Sequence, residues 1–423
     1  MRILIKNIKT LVQVDDGSRL KVCGADMQLL PCLDNAWVAI EGGLIADYGR
    51  MDDFPGVSDW DRLTVIDATG KCVFPSWCDS HTHLVFAGSR EGEFADRLKG
   101  LSYEQIALRG GGILNSAGKL RNASEEELIQ SALLRLNEIM FQGTGAVEIK
   151  SGYGLTLESE LKMLRVIKKL KAVSSLTIKA TFLGAHAVPL EYKNNKNKYI
   201  DLIVHEMLPR IADEKLAEYC DVFCEKNYFS KSETIRILEA GINVGLKTKV
   251  HAEQMSNSGG VEAGVHCKAI SVDHLEYVEG KDIDLLKYSD TMPVVLPGAQ
   301  FFLQLPNPPV RQMIDSGLPV AIASDFNPGS SPTGNMNLMQ SLACILYRMT
   351  PEEVINASTL NTAYAMELSA THGSIAVGKK ANIFITQEIP GYSFLSYAFG
   401  SNLIETVILN GEIKNRKNQL WKD

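Results

Sequence analysis

The stretch DSHTHLVFAGSREG, residues 79–92, follows the apolar run CVFPSW and places His81 and His83 two positions apart where a buried strand should end. Side chains alternate faces along a strand, so both rings project to one side and can converge on a single point. Such a pair suits a metal ion. It also occurs as two hydrogen-bonded histidines with no ion between them, and other residues must decide. Of eight histidines in the chain, five fall within or at the ends of strand-like runs: His81, His83, His186, His251 and His274. Asp325, in IASDFNPG, closes another such run. His81, His83, His251 and Asp325 together make a ligand set of three nitrogens and one oxygen, which suits one zinc or iron ion holding a water. A divalent ion lowers the pKa of bound water from about 15.7 toward roughly 7 and polarises a carbonyl. The expected nucleophile is then a metal hydroxide. Taken singly, His251 reads equally as a satisfied core residue and Asp325 as a helix cap; the gathering of five imidazoles favours the site.

These residues must be brought together by the elements that carry them. After the first histidine pair, runs rich in Val, Ile, Thr and Phe recur: AVEIKSGYG from residue 146, LTIKATFLGAHAV from 176, DVFCEKN from 221, LKTKVHAEQ from 246, AISVDHLE from 269, MPVVLPG from 292 and PVAIASDFNPG from 319. With the first, that makes eight. Between them lie stretches of helical periodicity such as ASEEELIQSALLRLNEIMFQG, LESELKMLRVIKKLKAV and SKSETIRILEAGINVG, several opening on Ser or Thr with Gly near the end. Alternation of strand and helix predicts a parallel sheet, and eight units without a Gly-x-Gly-x-x-Gly loop after the first strand predict an α/β fold of the (β/α)₈ type, a TIM-type barrel, over residues 72–372. In that fold the C-terminal ends of all strands meet on one rim, where the histidines and Asp325 would gather. Residues 1–71 and 373–423 read instead as short alternating strands with turns at Gly42, Gly43, Gly378 and Gly411. They predict a small β-sandwich domain assembled from both termini.

Composition sets the outer limits. Hydrophobic residues make up 45% of the 423 and charged residues 22%, and no apolar run approaches the length of a membrane span. The opening MRILIKNIKTLVQVDDG alternates like a strand and resembles no export signal, so a soluble, cytoplasmic protein is expected. The formal charge of −7 and the lack of a basic block beyond short stretches such as KNNKNK argue against a nucleic-acid partner. Eight scattered cysteines, without a Cys-x-x-Cys pair, read as reduced, buried residues.

HTH closing a first strand, HAEQ on a fifth, DHLE on a sixth and SDFNPG on an eighth resemble the amidohydrolase superfamily of metal-dependent hydrolases. Within it, DSHTHLVFAGSRE, EIKSGYGL and SDFNPGSSP are similar to the imidazolonepropionase family, and the likeness runs over nearly the full length. That family hydrolyses 4-imidazolone-5-propanoate to N-formimidoyl-L-glutamate in histidine degradation. The resemblance implies a mononuclear zinc or iron site on His81, His83, His251 and Asp325, and a homodimer. Superfamily members with two metals bridge them by a carboxylated lysine, for which Lys150 in EIKSGYG is the candidate; a mononuclear site needs no bridge, so Lys150 reads as structural or as support behind the ligands.

The propionate tail calls for a guanidinium, and Arg90 just beyond the first strand supplies a fork that matches a carboxylate. By the resemblance, Tyr153 in SGYG adds a hydroxyl, His186 holds the substrate, and Asn327, Gly329 and Ser330 bind its polar end. His274 takes the acid–base and electrostatic role. Gln254 stands where some relatives have a glutamate, and a glutamine cannot act as a base. It therefore binds substrate, and the proton goes to Asp325 or His274, with help from Glu253. Two other readings stay open at this level: a guanine- or cytosine-deaminase-like enzyme, which Gln254 and Arg90 disfavour, and a catalytically silent scaffold, which the complete ligand set disfavours.

Overall fold

The helical stretches begin where their sequences offer caps. Ser124 and Ser230 accept from the backbone N–H three residues on, and Glu127 and Glu233 accept in return from the serine N–H, so Glu125–Met140 and Lys231–Asn243 start with reciprocal caps. Thr156 caps Leu157–Val173 by accepting from the Ser159 N–H.

The structure, a computed structural model, describes residues 2–101, 105 and 111–415. Its strands run in order: β1 (Arg2–Val12), β2 (Cys32–Glu41), β3 (Leu44–Arg50), β4 (Leu63–Asp67), β5 (Lys71–Pro75), β6 (Trp77–Thr82), β7 (Thr144–Lys150), β8 (Thr177–Ala185), β9 (Tyr219–Cys224), β10 (Lys247–Ala252), β11 (Ser271–His274), β12 (Met292–Val295), β13 (Ala321–Ile322), β14 (Ile383–Glu388), β15 (Ile404–Leu409) and β16 (Glu412–Lys414). Strands β6 to β13 pair in sequence order, all parallel, as the alternation with helices predicts. The apolar run CVFPSW is shared: Cys72–Pro75 belong to β5 of the terminal sheet, and the barrel starts at Trp77.

The eighth barrel strand is only two residues long, so the barrel is closed by the segment that follows it. The Asp325 N–H donates to His81 O at 2.9 Å and the His83 N–H to Phe326 O at 2.9 Å. Below them, the Ser324 N–H and hydroxyl donate to the two carboxylate oxygens of Asp79 at 3.0 and 2.5 Å.

Both termini join one mixed sheet in the order β16-β15-β14-β5-β1-β2-β3, with β4 also paired to β1. It surrounds its own core, including Ile3, Ile5, Val38, Ile383 and Ile408, as a β-sandwich domain beside the barrel. The two bodies meet on an aromatic cluster in which Phe74 stacks on Phe384 at 5.1 Å and Trp77 meets Phe384 edge-on at 4.9 Å. All eight cysteines are free, and among the described residues no helix is long and apolar enough to cross a membrane.

Because Phe384 is fully buried at this junction, Phe384→Ala should lower stability by about 3–5 kcal/mol. Chemical denaturation measures it; a loss below about 1 kcal/mol, less than a single buried methylene or so, would mean that the junction does not rest on these rings.

Candidate active site

Period-2 alternation aims Asp79 and His81, Glu148 and Lys150, Asp221, Lys249 and His251, and Asp273 into the barrel, and all are nearly or fully buried. A barrel interior is normally filled by branched apolar side chains. Here it carries charges, and they are arranged behind the histidines. The His81 Nδ1–H donates to Asp273 Oδ2 at 2.6 Å, which leaves Nε2 facing the rim. His251 Nδ1 lies 3.0 Å from Asp221 Oδ2, and the His251 backbone N–H donates to Asp221 Oδ1 at 3.1 Å. Carboxylates in this position fix an imidazole's tautomer and ring plane.

At the rim, the ligand atoms of His81, His83 and Asp325 lie within 4.8 Å of one another, as do those of His81, His251 and His274. The four sequence-predicted ligands thus fall in two groups that share His81, with His274 completing the second. Buried Nε2 atoms of His81 and His251 have no hydrogen-bond partner among the described residues, nor have the Nδ1 atoms of His83, His251 and His274; the approach of Asp221 to His251 Nδ1 is an ion-pair contact. Burial pushes the imidazoles of His81 and His83 well below their ordinary pKa, and His186 down to about 3, so these rings are neutral with a lone pair to offer. Burial raises the Asp325 carboxyl; the Ser330 hydroxyl donates to it at 3.0 Å. For His274 burial acts downward, but Glu276, 3.8 Å from Nδ1, together with Asp325 and Asp273 outweighs it and raises the imidazole. The backbone is held in the left-handed region at His274 (φ +91°), Leu275 (φ +75°) and Asp325 (φ +53°), conformations that non-glycine residues adopt at a cost.

One cavity of about 560 Å³ opens above these residues, lined by His83, His186, His251, His274 and Asp325. Arg90, Tyr153, Gln254, Asn327, Gly329 and Ser330 line the same cavity, and His81 lies beneath it. The structure therefore gathers the expected ligands and substrate-contacting residues around one cavity, though not all of them are free, and leaves Glu253 and Lys150 off its wall. Arg90 Nε and Nη2 engage Glu93 Oε2 at 2.8 and 2.6 Å, leaving Nη1 pointed at Gly329, where an added Cβ would come within 2.2 Å of it. Asn327 is spent on its own turn: Oδ1 accepts from the Gly329 and Ser330 N–H groups at 2.7 and 2.9 Å, and Nδ2 donates to Asp325 O and Ser330 Oγ at 2.6 Å each. Glu253 does not line the cavity. It accepts from the N–H groups of Gly259, Gly260 and Val261, which removes it as a helper in proton transfer.

Buried glutamates also hold the loops that carry binding residues. Glu160 accepts from the N–H groups of Gly152, Gly154 and Leu155 at 3.1, 2.7 and 2.9 Å, framing Tyr153. Gly152 has φ +103°, and a Cβ there would sit 2.9 Å from His186 Nδ1, which donates to the Gly152 carbonyl at 3.1 Å. Glu225 accepts from the N–H groups of Met255 and Ser256, next to Gln254. Sequence reasoning passed over Asp221, Asp273, Glu276, Glu93 and Arg97. The Arg97 guanidinium lies over the Phe302 ring at 5.0 Å and donates to Gly329 O at 3.3 Å, so two guanidiniums flank this glycine.

Residues 72–414 match the model of the amidohydrolase family. The imidazolonepropionase of Christiangramia forsetii is 57% identical over 413 residues, 98% of this chain and 100% of its own length. The chain belongs to the imidazolonepropionase branch of the amidohydrolase family. The imidazolonepropionase of Flavobacterium johnsoniae is likewise 57% identical over 97% of this chain and 99% of its own length. Among solved structures, an adenosine deaminase from Xanthomonas campestris with bound zinc shares the fold, with a TM-score of 0.70 at 15% identity over 100% of this chain and 94% of that one. The amidohydrolases are metal-dependent hydrolases, and the His and Asp cluster at this rim is a candidate metal site of that kind.

Glu160→Ala leaves three backbone donors without their acceptor, at about 1–3 kcal/mol for each buried group left unpaired. Hydrogen exchange followed by mass spectrometry should show faster exchange confined to residues 151–155. Unchanged exchange there would assign the loop's order to other contacts.

Proposed function

We propose that this hydrolase opens the cyclic amide of 4-imidazolone-5-propanoate to give N-formimidoyl-L-glutamate in histidine degradation. The observation that carries the reading is one cavity with imidazoles and Asp325 at its floor and guanidiniums at its wall, a shape and polarity that suit a small ring bearing a carboxylate. The 57% identity to the Christiangramia forsetii imidazolonepropionase over nearly all of both chains supports it.

His81, His83, His251 and Asp325 would hold one ion, zinc or iron. The donor set fits: three imidazoles with orphaned buried ring nitrogens, those of His81 and His83 kept neutral by burial, and one carboxylate. When bound, the ion supplies a Lewis acid that polarises the ring carbonyl and acidifies water. The rest is the work of side chains. Arg90 Nη1, joined by Arg97, binds the propionate; the Tyr153 hydroxyl adds a donor, and His186 and Gln254 pack against the ring. Asp325, steadied by Ser330, takes the proton from water. His274, with Glu276 behind its Nδ1, stabilises charge on the carbonyl oxygen and passes a proton to the departing ring nitrogen. Asn327 keeps the turn of Gly329 and Ser330 in shape beside the carboxylate end. In this reading the working form is a cytoplasmic homodimer, with residues 1–71 and 373–423 as one composite sandwich domain and residues 72–372 as the catalytic barrel.

The test is loss of ultraviolet absorbance from freshly generated 4-imidazolone-5-propanoate, with metal quantified on the same sample. Turnover is expected with about one ion per chain, to vanish on chelation and to return with zinc or iron. Arg90→Met should raise KM roughly 10- to 100-fold, the worth of a charge-assisted hydrogen bond, with metal content unchanged. A metal-loaded chain that leaves this substrate intact and deaminates guanine or cytosine would overturn the proposal.

A further inference from the structure

Lys150 is the charged group that the proposed mechanism does not use, and it is fully buried in the middle of the barrel. Its Nζ lies 2.8 Å from Glu148 Oε1, 2.8 Å from Asp221 Oδ2 and 3.6 Å from Asp273 Oδ2. Glu148 is fixed in turn by Lys249 and by the Thr181 hydroxyl, which donates to Oε1 at 2.6 Å. Two of the three oxygens around Nζ are the very atoms that face the ligand rings: Asp221 Oδ2 is 3.0 Å from His251 Nδ1, and Asp273 Oδ2 is 2.6 Å from His81 Nδ1.

We propose that Lys150 is a positioning residue for metal binding: one ammonium, shared by Asp221 and Asp273, locks the two carboxylates that hold His251 and His81 in the tautomer and ring plane a metal requires. The inference rests on the ligand set of the proposed function. An ammonium has three protons: hydrogen bonds go to Glu148 Oε1 and Asp221 Oδ2, and Asp273 Oδ2, at 3.6 Å, is held by charge, so the Asp221 and Asp273 carboxylates are both drawn in at the oxygen that also meets a histidine. A histidine ligates through a nitrogen lone pair, which is presented at Nε2 only while the proton stays on Nδ1. Without the cation, Asp221 and Asp273 lose their nearest counter-charge in one buried space, with Lys249 left on Glu148, and each is free to turn away from its ring. Turning away releases the imidazole that it holds.

The same geometry separates this lysine from a carboxylated metal bridge. Carboxylation needs a neutral amine with a free lone pair, and the product would be an anion set among Glu148, Asp221 and Asp273. The surroundings of Nζ are acceptors only, and they select the ammonium. A bridging lysine would also have to face the rim, whereas Lys150 does not line the cavity.

Lys150→Met is expected to weaken metal affinity roughly 10- to 100-fold, read by competition of zinc or cobalt(II) with a chromophoric chelator. At saturating metal its KM for 4-imidazolone-5-propanoate should stay within about twofold of native, since Lys150 touches no substrate; a general structural lesion would move both. The ¹⁵N signals of His81 and His251 in the metal-free native chain should report a single Nδ1–H tautomer, and a mixture in the variant. Should the variant not fold, the native protein decides: ¹⁵N-lysine spectra are expected to show a slowly exchanging ammonium, and equilibration with ¹³C-bicarbonate to leave no carbamate. Native metal affinity in Lys150→Met, or a carbamate at Lys150 with two metals per chain, overturns the inference. A native chain that binds no metal overturns the ligand assignment itself.

Discussion

The site depends on how the barrel closes. Strand β13 is too short to complete a ladder with β6, and the seam is made by the backbone of Asp325 and Phe326 bonding to that of His81 and His83, with Asp79 and Ser324 tied beneath. Two ends of the chain separated by more than two hundred residues are thus joined at the residues expected to share an ion. The exchange of hydrogen bonds sets their spacing before any side chain is considered, and the left-handed backbone at Asp325 turns its carboxylate toward the imidazoles. Strain at that residue persists because the seam and the Asn327 turn overdetermine it.

Below the seam the barrel trades apolar packing for charge. Three carboxylates, Glu148, Asp221 and Asp273, face two ammonium groups, Lys150 and Lys249, all without access to water. Deleting one partner of such a buried pair costs about 3–5 kcal/mol, while a well-packed apolar set is often at least as stable. Stability alone therefore does not account for the network. What it provides is an excess of negative charge and fixed acceptors directly behind the imidazoles, which favours a cation at the rim. Glu160 and Glu225 act alike one level up, each collecting the N–H groups of a loop so that Tyr153 or Gln254 faces the cavity.

Much of this was legible in the sequence because the relevant signals are periodic or local. Eight strand-like runs alternating with capped helices gave the barrel, and His81 with His83 announced a shared face. The start of the barrel is hard to place from sequence because Cys72–Pro75 and Trp77–Thr82 are both buried strand segments separated by one residue, and only pairing partners distinguish them. Asp221 and Asp273 were missed because each sits inside an apolar run and acts on a histidine in another strand; Asp273 is 192 positions from His81. Their signal was parity: charged residues at inward positions of buried strands, in step with Lys150 and His251. Glu93 was legible only as a helix-start acid, although it occupies two nitrogens of Arg90. Arg97 carries no motif, and its place beside Gly329 is set by the fold alone.

In the proposed function, His81, His83, His251 and Asp325 converge on a single ion. Anomalous diffraction from crystals of the metal-loaded protein tests it directly. One peak per chain is expected, with ring nitrogens and a carboxylate oxygen of these four residues at about 2.0–2.2 Å. A peak held by His274 in place of His251 or Asp325, or two peaks bridged by Lys150, would contradict it.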